Sequence, residues 1–245
     1  MQVMPVDYER RGAAALITIN RPERRNAVDG ATAAALLEAY ERFAADDDAR
    51  VLVLTGAGDQ AFCAGADLKA LETLDADAPA GPMGFTRLTP AKPAIAAIGG
   101  WCVAGGLELA LWCDLRIADD TARFGCLERR WGVPLIDGGT QRLPRVVGLG
   151  RALDLILTGR TVEPEEALAI GLVNEVVAAG AHVGRALELA ETIAALPQET
   201  MLSDREAALA AQGLPLADGL ALEARLGRDR VTGALEGARR FRVGQ

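Results

Sequence analysis

One acidic residue stands alone in an apolar segment near the middle of the chain. Glu108 follows Gly105 and Gly106 in the first turn of a predicted short helix, and residues 107–112 are otherwise apolar. A helix that is apolar on every face is buried, and a buried carboxylate usually has a partner or a task. The first N–H groups of a helix have no partner within it and lie at the positive end of its dipole. The segment therefore predicts free donors beside an acid; the alternative is a structural glutamate paired with a neighbouring arginine.

A second segment of small residues, Ala61–Lys69, is predicted to be a loop that leads into a helix near Asp67. Because glycine lets a ligand approach the backbone closely, this loop is a second place where free N–H groups could meet a ligand. The apolar run from Pro93 to Cys113 is about as long as a membrane span. Its four glycines and Glu108 argue against that interpretation.

Composition limits the classes of function that the chain can have. With 245 residues it can form one sizeable core, or one core with an appended lobe. Its net charge of −8 argues against nucleic acid or an anionic membrane as a general partner. Residues 1–12 contain no apolar core segment, so we expect no signal peptide. Four cysteines without CxxC or metal-ligand spacing are typical of buried thiols in a reducing cytoplasm. The only histidine, His182, is interpreted as structural.

Strands and helices must position these residues, and both patterns are present. The predicted strands are Ala13–Asn20, Val51–Thr55, Leu115–Ala118, Ala122–Phe124 and Leu172–Val177. The predicted helices are Thr32–Ala45, Arg145–Leu157 and Glu163–Ile170, and Gly180–Arg242 is almost entirely helical with breaks near Pro197 and Gly213. The segment Asp75–Phe85 has no period and is interpreted as either a mobile binding loop or a simple surface loop.

Several segments together resemble a known family. Phe62–Lys69 (FCAGADLK) and Gly105–Leu109 (GGLEL) resemble the two signature segments of the enoyl-CoA hydratase/isomerase (crotonase) superfamily. Phe124–Glu128, Gly139–Leu143 and the Arg21-Pro22 turn extend the match, which covers nearly the whole chain in the right order. The combination is far more specific than any single segment.

The resemblance implies an α/β fold, a crotonase-like spiral of ββα turns over residues 1–195 that binds acyl-CoA. Residues 196–245 would form a C-terminal helical region for oligomerisation, giving a homotrimer or a hexamer built as a dimer of trimers. The implied substrate is an acyl-CoA thioester in the setting of fatty-acid β-oxidation. No metal or redox cofactor is implied, because coenzyme A is part of the substrate.

The resemblance also assigns residues by position. The backbone N–H groups of Ala66 and Gly105 would form an oxyanion hole, and Glu108 and Glu128 would be the two catalytic carboxylates. The assigned CoA-binding residues are Arg24, Asn26, Ala27, Ala64, Gly65, Ala66, Asp67, Leu68 and Gly105. Two N–H donors polarise a thioester carbonyl, and two carboxylates can share the proton transfers of adding water to a 2,3-double bond.

The chain departs from the family where hydratases commonly have Pro-Gly-Ala-Gly-Gly-Thr, since it has Leu135-Ile-Asp-Gly-Gly-Thr140. Ile136 replaces a glycine, and Trp131 and Asp137 become possible additional site residues. The leading hypothesis is an enoyl-CoA hydratase. A double-bond isomerase, a thioester hydrolase and a non-catalytic acyl-CoA binder remain alternatives. A dinucleotide oxidoreductase is the weakest, because no GxGxxG follows a first strand.

Overall fold

The larger of two sheets consists of six strands in the order β1-β2-β3-β5-β7-β9. The computed structural model describes residues 4–242. The strands of this sheet are β1 (Val6–Arg11), β2 (Ala14–Ile19), β3 (Val51–Gly56), β5 (Ala94–Ile98), β7 (Leu115–Asp119) and β9 (Glu175–Val177). β1 pairs with β2 in the antiparallel direction, and every other neighbouring pair is parallel. Because parallel strands are covered on both faces, β3 and β5 are continuous runs of buried residues.

A second, three-stranded parallel sheet has the order β4-β6-β8. Its strands are β4 (Ala61–Cys63), β6 (Trp101–Val103) and β8 (Arg123–Gly125). The successive pairs β3–β4, β5–β6 and β7–β8 each place their first strand in the large sheet and their second in the small one. This repeated step confirms the predicted α/β spiral of ββα turns.

Helices lie between and after the strands along the chain. They are α1 (Gly30–Ala45), α2 (Gly105–Trp112), α3 (Gly139–Val147), α4 (Leu149–Thr158), α5 (Pro164–Ala169), α6 (His182–Ala194), α7 (Gln198–Ala210), α8 (Leu216–Arg228) and α9 (Val231–Arg242). α1 begins where the side chain of Asp29 accepts a 2.9 Å hydrogen bond from Thr32 N. In α2 every residue after Gly105 is buried, as its uniformly apolar sequence predicts.

Three sequence predictions need correction. The helix near Asp67 is absent, since Asp67 Oδ1 accepts from Lys69 N at 3.1 Å and forms a local turn that competes with a helix. A short 3-10 turn follows only at Leu71–Thr73. The predicted helix Arg145–Leu157 is two helices, α3 and α4, separated at Gly148, whose φ of 80° is left-handed. Four strands were not predicted: the largely charged β1, β4 at the start of the segment predicted to be a loop, and β5 and β6 on either side of the first glycine pair.

The chain divides into two compact units, the first ending at Glu191 and the second beginning at Thr192. In the first unit, His182 at the start of α6 lies with Nδ1 2.9 Å from Asp119 Oδ2 at the end of β7, which is a structural contact. All four cysteines are buried and free. Among the described residues, no helix combines the length and apolarity that a membrane span requires.

Candidate active site

A cavity of about 610 Å³ lies in the first unit, and its walls are largely apolar. Eight residues that the sequence singles out line it together: Ala64, Ala66, Leu68, Gly105, Glu108, Glu128, Trp131 and Asp137. They come from three segments that are well separated in the chain, residues 64–68, 105–108 and 128–137. The spiral therefore brings most of the predicted site to one place.

Two backbone N–H groups at the cavity are free of protein partners. Ala66 forms a parallel β-bridge with Val28. The hydrogen bonds of this bridge are made by the neighbours of Ala66: Gly65 O accepts from Val28 N, and Asp67 N donates to Val28 O, each at 2.8 Å. The N–H of Ala66 points the other way, as the alternation of a strand requires. Gly105 is the first residue of α2, so its N–H has no partner within the helix. Within residues 4–242, neither N–H donates a hydrogen bond.

Local backbone geometry brings these two segments close together. Gly65 has φ 90°, and a Cβ at this position would lie 2.8 Å from Gly105 N, so a side chain is excluded. Ala104, just before α2, has φ 53° and ψ −129°, an unusual conformation for a residue with a side chain. Such strain is maintained only where surrounding structure enforces it, and it is common at functional sites.

Glu108 is 3% exposed and is held by main-chain donors. Its Oε1 accepts hydrogen bonds from Asp137 N at 2.9 Å and Gly139 N at 2.7 Å. The pKa of Glu108 is raised to about 8, mainly by burial and also by the nearby carboxylates of Asp137 and Glu128, while the two N–H donors oppose this rise. In the described part of the chain no arginine lies within ion-pairing distance of Glu108, so the arginine partner that the structural alternative requires is absent there.

Glu128 is the second residue of a short 3-10 helix, Leu127–Trp131, that follows β8. Its side chain is buried, yet neither carboxylate oxygen has a hydrogen-bond partner among the described residues. The nearest cation is Arg129, whose Nη2 lies 3.9 Å from Glu128 Oε1. Burial raises the pKa of Glu128. A buried carboxylate that lines a cavity without a protein donor is free to bond to a ligand or water.

The residues that depart from the family pattern also lie at the cavity. Asp137 is 4% exposed, and its Oδ1 accepts from Met83 N at 3.0 Å and from the hydroxyl of Thr86. Burial raises the pKa of Asp137. Trp131 is 72% exposed and Ile136 is 39% exposed, and both line the cavity. The two form an apolar rim next to the carboxylates.

The remaining predicted residues do not line the cavity: Arg24, Asn26, Ala27, Gly65 and Asp67. The Asn26 side chain is buried, and its amide donates to Ala57 O at 2.9 Å and Ala61 O at 2.6 Å. Asp67 pairs with Arg21 at 3.1 Å. Asn26 and Asp67 therefore hold the turn and the loop in shape. Contact of these five residues with CoA stays a prediction.

Met83, which was not among the predicted site residues, lines the cavity and is 1% exposed. It lies in the periodless segment Asp75–Phe85, which contains no helix or strand beyond turns. Met83 and the fully buried Phe85 anchor the second half of this segment in the core, so it is not a simple surface loop. Two large apolar residues in an otherwise small and polar segment were the available signal.

Two N–H groups without protein partners and two buried carboxylates belong to residues that line one cavity, and such a set of groups can bind an oxyanion and transfer protons. The family model for enoyl-CoA hydratase/isomerase matches residues 9–241. The chain therefore belongs to the enoyl-CoA hydratase/isomerase family.

Relatives of known description agree over most of their length. The (E)-benzylidenesuccinyl-CoA hydratase of Thauera aromatica is 39% identical over 89% of this chain and 87% of its own. The short-chain-enoyl-CoA hydratase of Clostridium acetobutylicum is 39% identical over 79% and 76%. The crystal structure of enoyl-CoA hydratase EchA1 from Mycobacterium marinum superposes with a TM-score of 0.94 at 37% identity, covering 99% of this chain and 97% of that one.

Proposed function

We propose that this protein is an enoyl-CoA hydratase, which adds water across the 2,3-double bond of a 2-enoyl-CoA thioester. The observation that carries the proposal is the pairing of Glu108 and Glu128 in one cavity with the free N–H groups of Ala66 and Gly105. Membership of the family and the hydratases among its relatives support the same reaction.

In the proposed reaction the thioester oxygen accepts hydrogen bonds from Ala66 N and Gly105 N. These bonds stabilise the enolate that develops when water attacks C3, and losing one such donor typically costs about 10²–10³ in rate. Glu108 and Glu128 share the two proton transfers, one taking a proton from water and the other delivering a proton to C2. The pKa of Glu108, raised to about 8, suits a group that exchanges protons near neutral pH, and the pKa of Glu128 is shifted in the same direction.

The remaining parts of the substrate and the assembly belong to the same proposal. The loop from Ala64 to Leu68 would line the adenine pocket, and the turn from Arg24 to Ala27 would contact the pantetheine or phosphates. No step of the reaction requires a metal or redox cofactor. We further propose a homotrimer or a dimer of trimers, which light scattering on the purified protein would measure, and a cytoplasmic location, which the four free thiols favour.

The test is the loss of conjugated enoyl-thioester absorbance when the protein is added to crotonyl-CoA. We expect rapid loss with the wild type, and losses in rate of at least about 10²-fold for Glu108→Ala and Glu128→Gln, because each removes a proton-transfer group. Glu163→Gln is the matched control, since Glu163 pairs with Arg123 and does not line the cavity.

Chromatography of the products separates the alternatives. A 3-hydroxyacyl-CoA is expected, whereas a relocated double bond or free CoA would indicate an isomerase or a thioester hydrolase. Full activity in Glu128→Gln would refute the assignment of two carboxylates. Binding of acyl-CoA without any reaction would indicate a non-catalytic binder.

A further inference from the structure

Asp137 takes part in two sets of hydrogen bonds, one through its main chain and one through its side chain. Its main-chain N–H donates to Glu108 Oε1 at 2.9 Å. Its carboxylate Oδ1 accepts from Met83 N at 3.0 Å and from the hydroxyl of Thr86. One residue is therefore bonded both to the buried glutamate and to the segment that carries Met83.

That segment, residues 82–86, forms a wall of the cavity beside Gly105. Pro82 and Met83 line the cavity, and a Cβ placed on Gly105 would lie only 3.0 Å from Met83 Cε. The Met83 side chain therefore packs against the residue whose N–H group is free. A ligand that bonds to that N–H group must also contact this wall.

Few hydrogen bonds hold this wall to the rest of the protein. Among the described residues, those that join residues 82–86 to distant parts of the chain end on Asp137 or Arg142. Arg142 Nη2 donates to Thr86 O at 2.6 Å, and its Nη1 donates to Asp137 O at 2.9 Å. The wall, Asp137 and Arg142 are therefore hydrogen-bonded to one another. Asp137 is in addition bonded to Glu108.

We propose that Asp137 is a positioning residue, which fixes the Glu108 carboxylate through its main chain and the Met83 wall through its side chain. The proposal rests on the hydration reaction proposed above. As a consequence, Asp137 holds both the Met83 wall, which would contact the thioester, and the Glu108 carboxylate, which would transfer a proton. The aspartate that departs from the family pattern then has a specific task at this site.

The negative charge of Asp137 has a separate effect from its hydrogen bonds. The charged or titratable groups that interact with Glu108 are Asp137, Glu128, Cys126 and Arg142. After burial, the Asp137 carboxylate is the largest influence that raises the pKa of Glu108. Asparagine at 137 keeps an oxygen that can accept from Met83 N and Thr86 but removes this charge. The Asp137→Asn substitution should therefore lower the pKa of Glu108.

Two single variants separate the charge from the wall contacts. In Asp137→Asn we expect the limb of the pH–rate profile that reports Glu108 to move to lower pH, with KM for crotonyl-CoA nearly unchanged. In Thr86→Val, which removes the hydroxyl donor but keeps the shape of the side chain, we expect KM to rise by about 2- to 10-fold. The pH–rate profile of Thr86→Val should not shift, because this variant keeps the charge of Asp137.

The double variant Asp137→Ala/Thr86→Val tests whether the effect of the Thr86 hydroxyl on KM depends on Asp137. Asp137→Ala should show both changes, and adding Thr86→Val to it should raise KM no further, because the hydroxyl has already lost its acceptor. Asp119→Asn is the matched control. Asp119 is equally buried and accepts from Thr121 and Gly180, but it does not line the cavity. Its thermal stability should fall while its pH–rate profile stays that of the wild type.

The outcomes distinguish failure of this inference from failure of the proposed function. A wild-type protein that does not hydrate crotonyl-CoA refutes the proposed function itself. An active wild type whose profile is unchanged in Asp137→Asn, or whose KM is unchanged in Thr86→Val, refutes the positioning role. If Asp137→Ala does not fold, Asp137→Asn and Thr86→Val still decide the question.

Discussion

Replacing Glu108 by glutamine should change how stability depends on pH. Burial raises the pKa of Glu108 from an ordinary 4.5 to about 8. The folded state therefore holds this proton more tightly than the unfolded state, and the free energy of unfolding falls as pH rises between these two values. A difference of about 3.5 pH units, at about 1.4 kcal/mol per unit, gives a loss of up to about 5 kcal/mol.

Glutamine removes this loss while keeping the local contacts. Its side-chain oxygen can accept from Asp137 N and Gly139 N as the Glu108 oxygen does. The free energy of unfolding of Glu108→Gln, minus that of the wild type, should therefore be smallest near pH 4.5 and grow until about pH 8. Glu128 and Asp137 also have raised pKa values, so both proteins should lose some stability over this range.

The measurement is urea unfolding at several pH values, followed by the fluorescence of the three tryptophans. Protein concentration must be equal in every sample, because an oligomer's stability depends on it. Glu163→Gln, at an exposed glutamate, is the control and should follow the wild type at each pH. Parallel curves for Glu108→Gln and the wild type would refute the conclusion that burial keeps Glu108 protonated near neutral pH.

Two further variants test packing and the cavity rim. Gly106→Ala should destabilise the protein by about 2 kcal/mol or more, because its Cβ would lie 2.0 Å from the main-chain oxygen of Cys63. Thermal melting checks this against Gly227→Ala, where no atom lies nearby and alanine favours the helix. Trp131→Ala should raise KM for cinnamoyl-CoA about 10-fold more than for crotonyl-CoA, since a bulky acyl group would bury this exposed ring. Steady-state kinetics with both substrates test it, and equal changes would contradict it.

The predictable parts of the site are those with a local signal. α2 was predicted because its residues are apolar on every face, and the glycines at its start marked where free N–H groups would lie. Glu108 was identified for the same reason, as the one ionisable residue in that helix. The buried parallel strand β3 was likewise predicted from a short apolar run. Each of these features depends on residues that are neighbours in sequence.

The features that could not be predicted depend on contacts between distant residues. The bond from Met83 N to Asp137 joins positions 54 residues apart, and that from Asp137 N to Glu108 joins positions 29 apart. No period or composition marks either pair. The side-chain amide of Asn26 makes only internal hydrogen bonds, which its place in the family pattern did not indicate, and its contact with CoA stays a prediction. Position in a family pattern does not reveal which way a side chain points.

Several features of the site each cost folding free energy. Glu128 is buried without a hydrogen-bond partner among the described residues, and Ala104 has a strained backbone. Burial also raises the pKa values of three carboxyls that line one cavity, Glu108, Glu128 and Asp137. Such costs are rare in a core selected for stability alone and are concentrated where a protein binds or reacts. Their convergence on the cavity that also holds the free N–H groups of Ala66 and Gly105 is the physical reason to place the chemistry there.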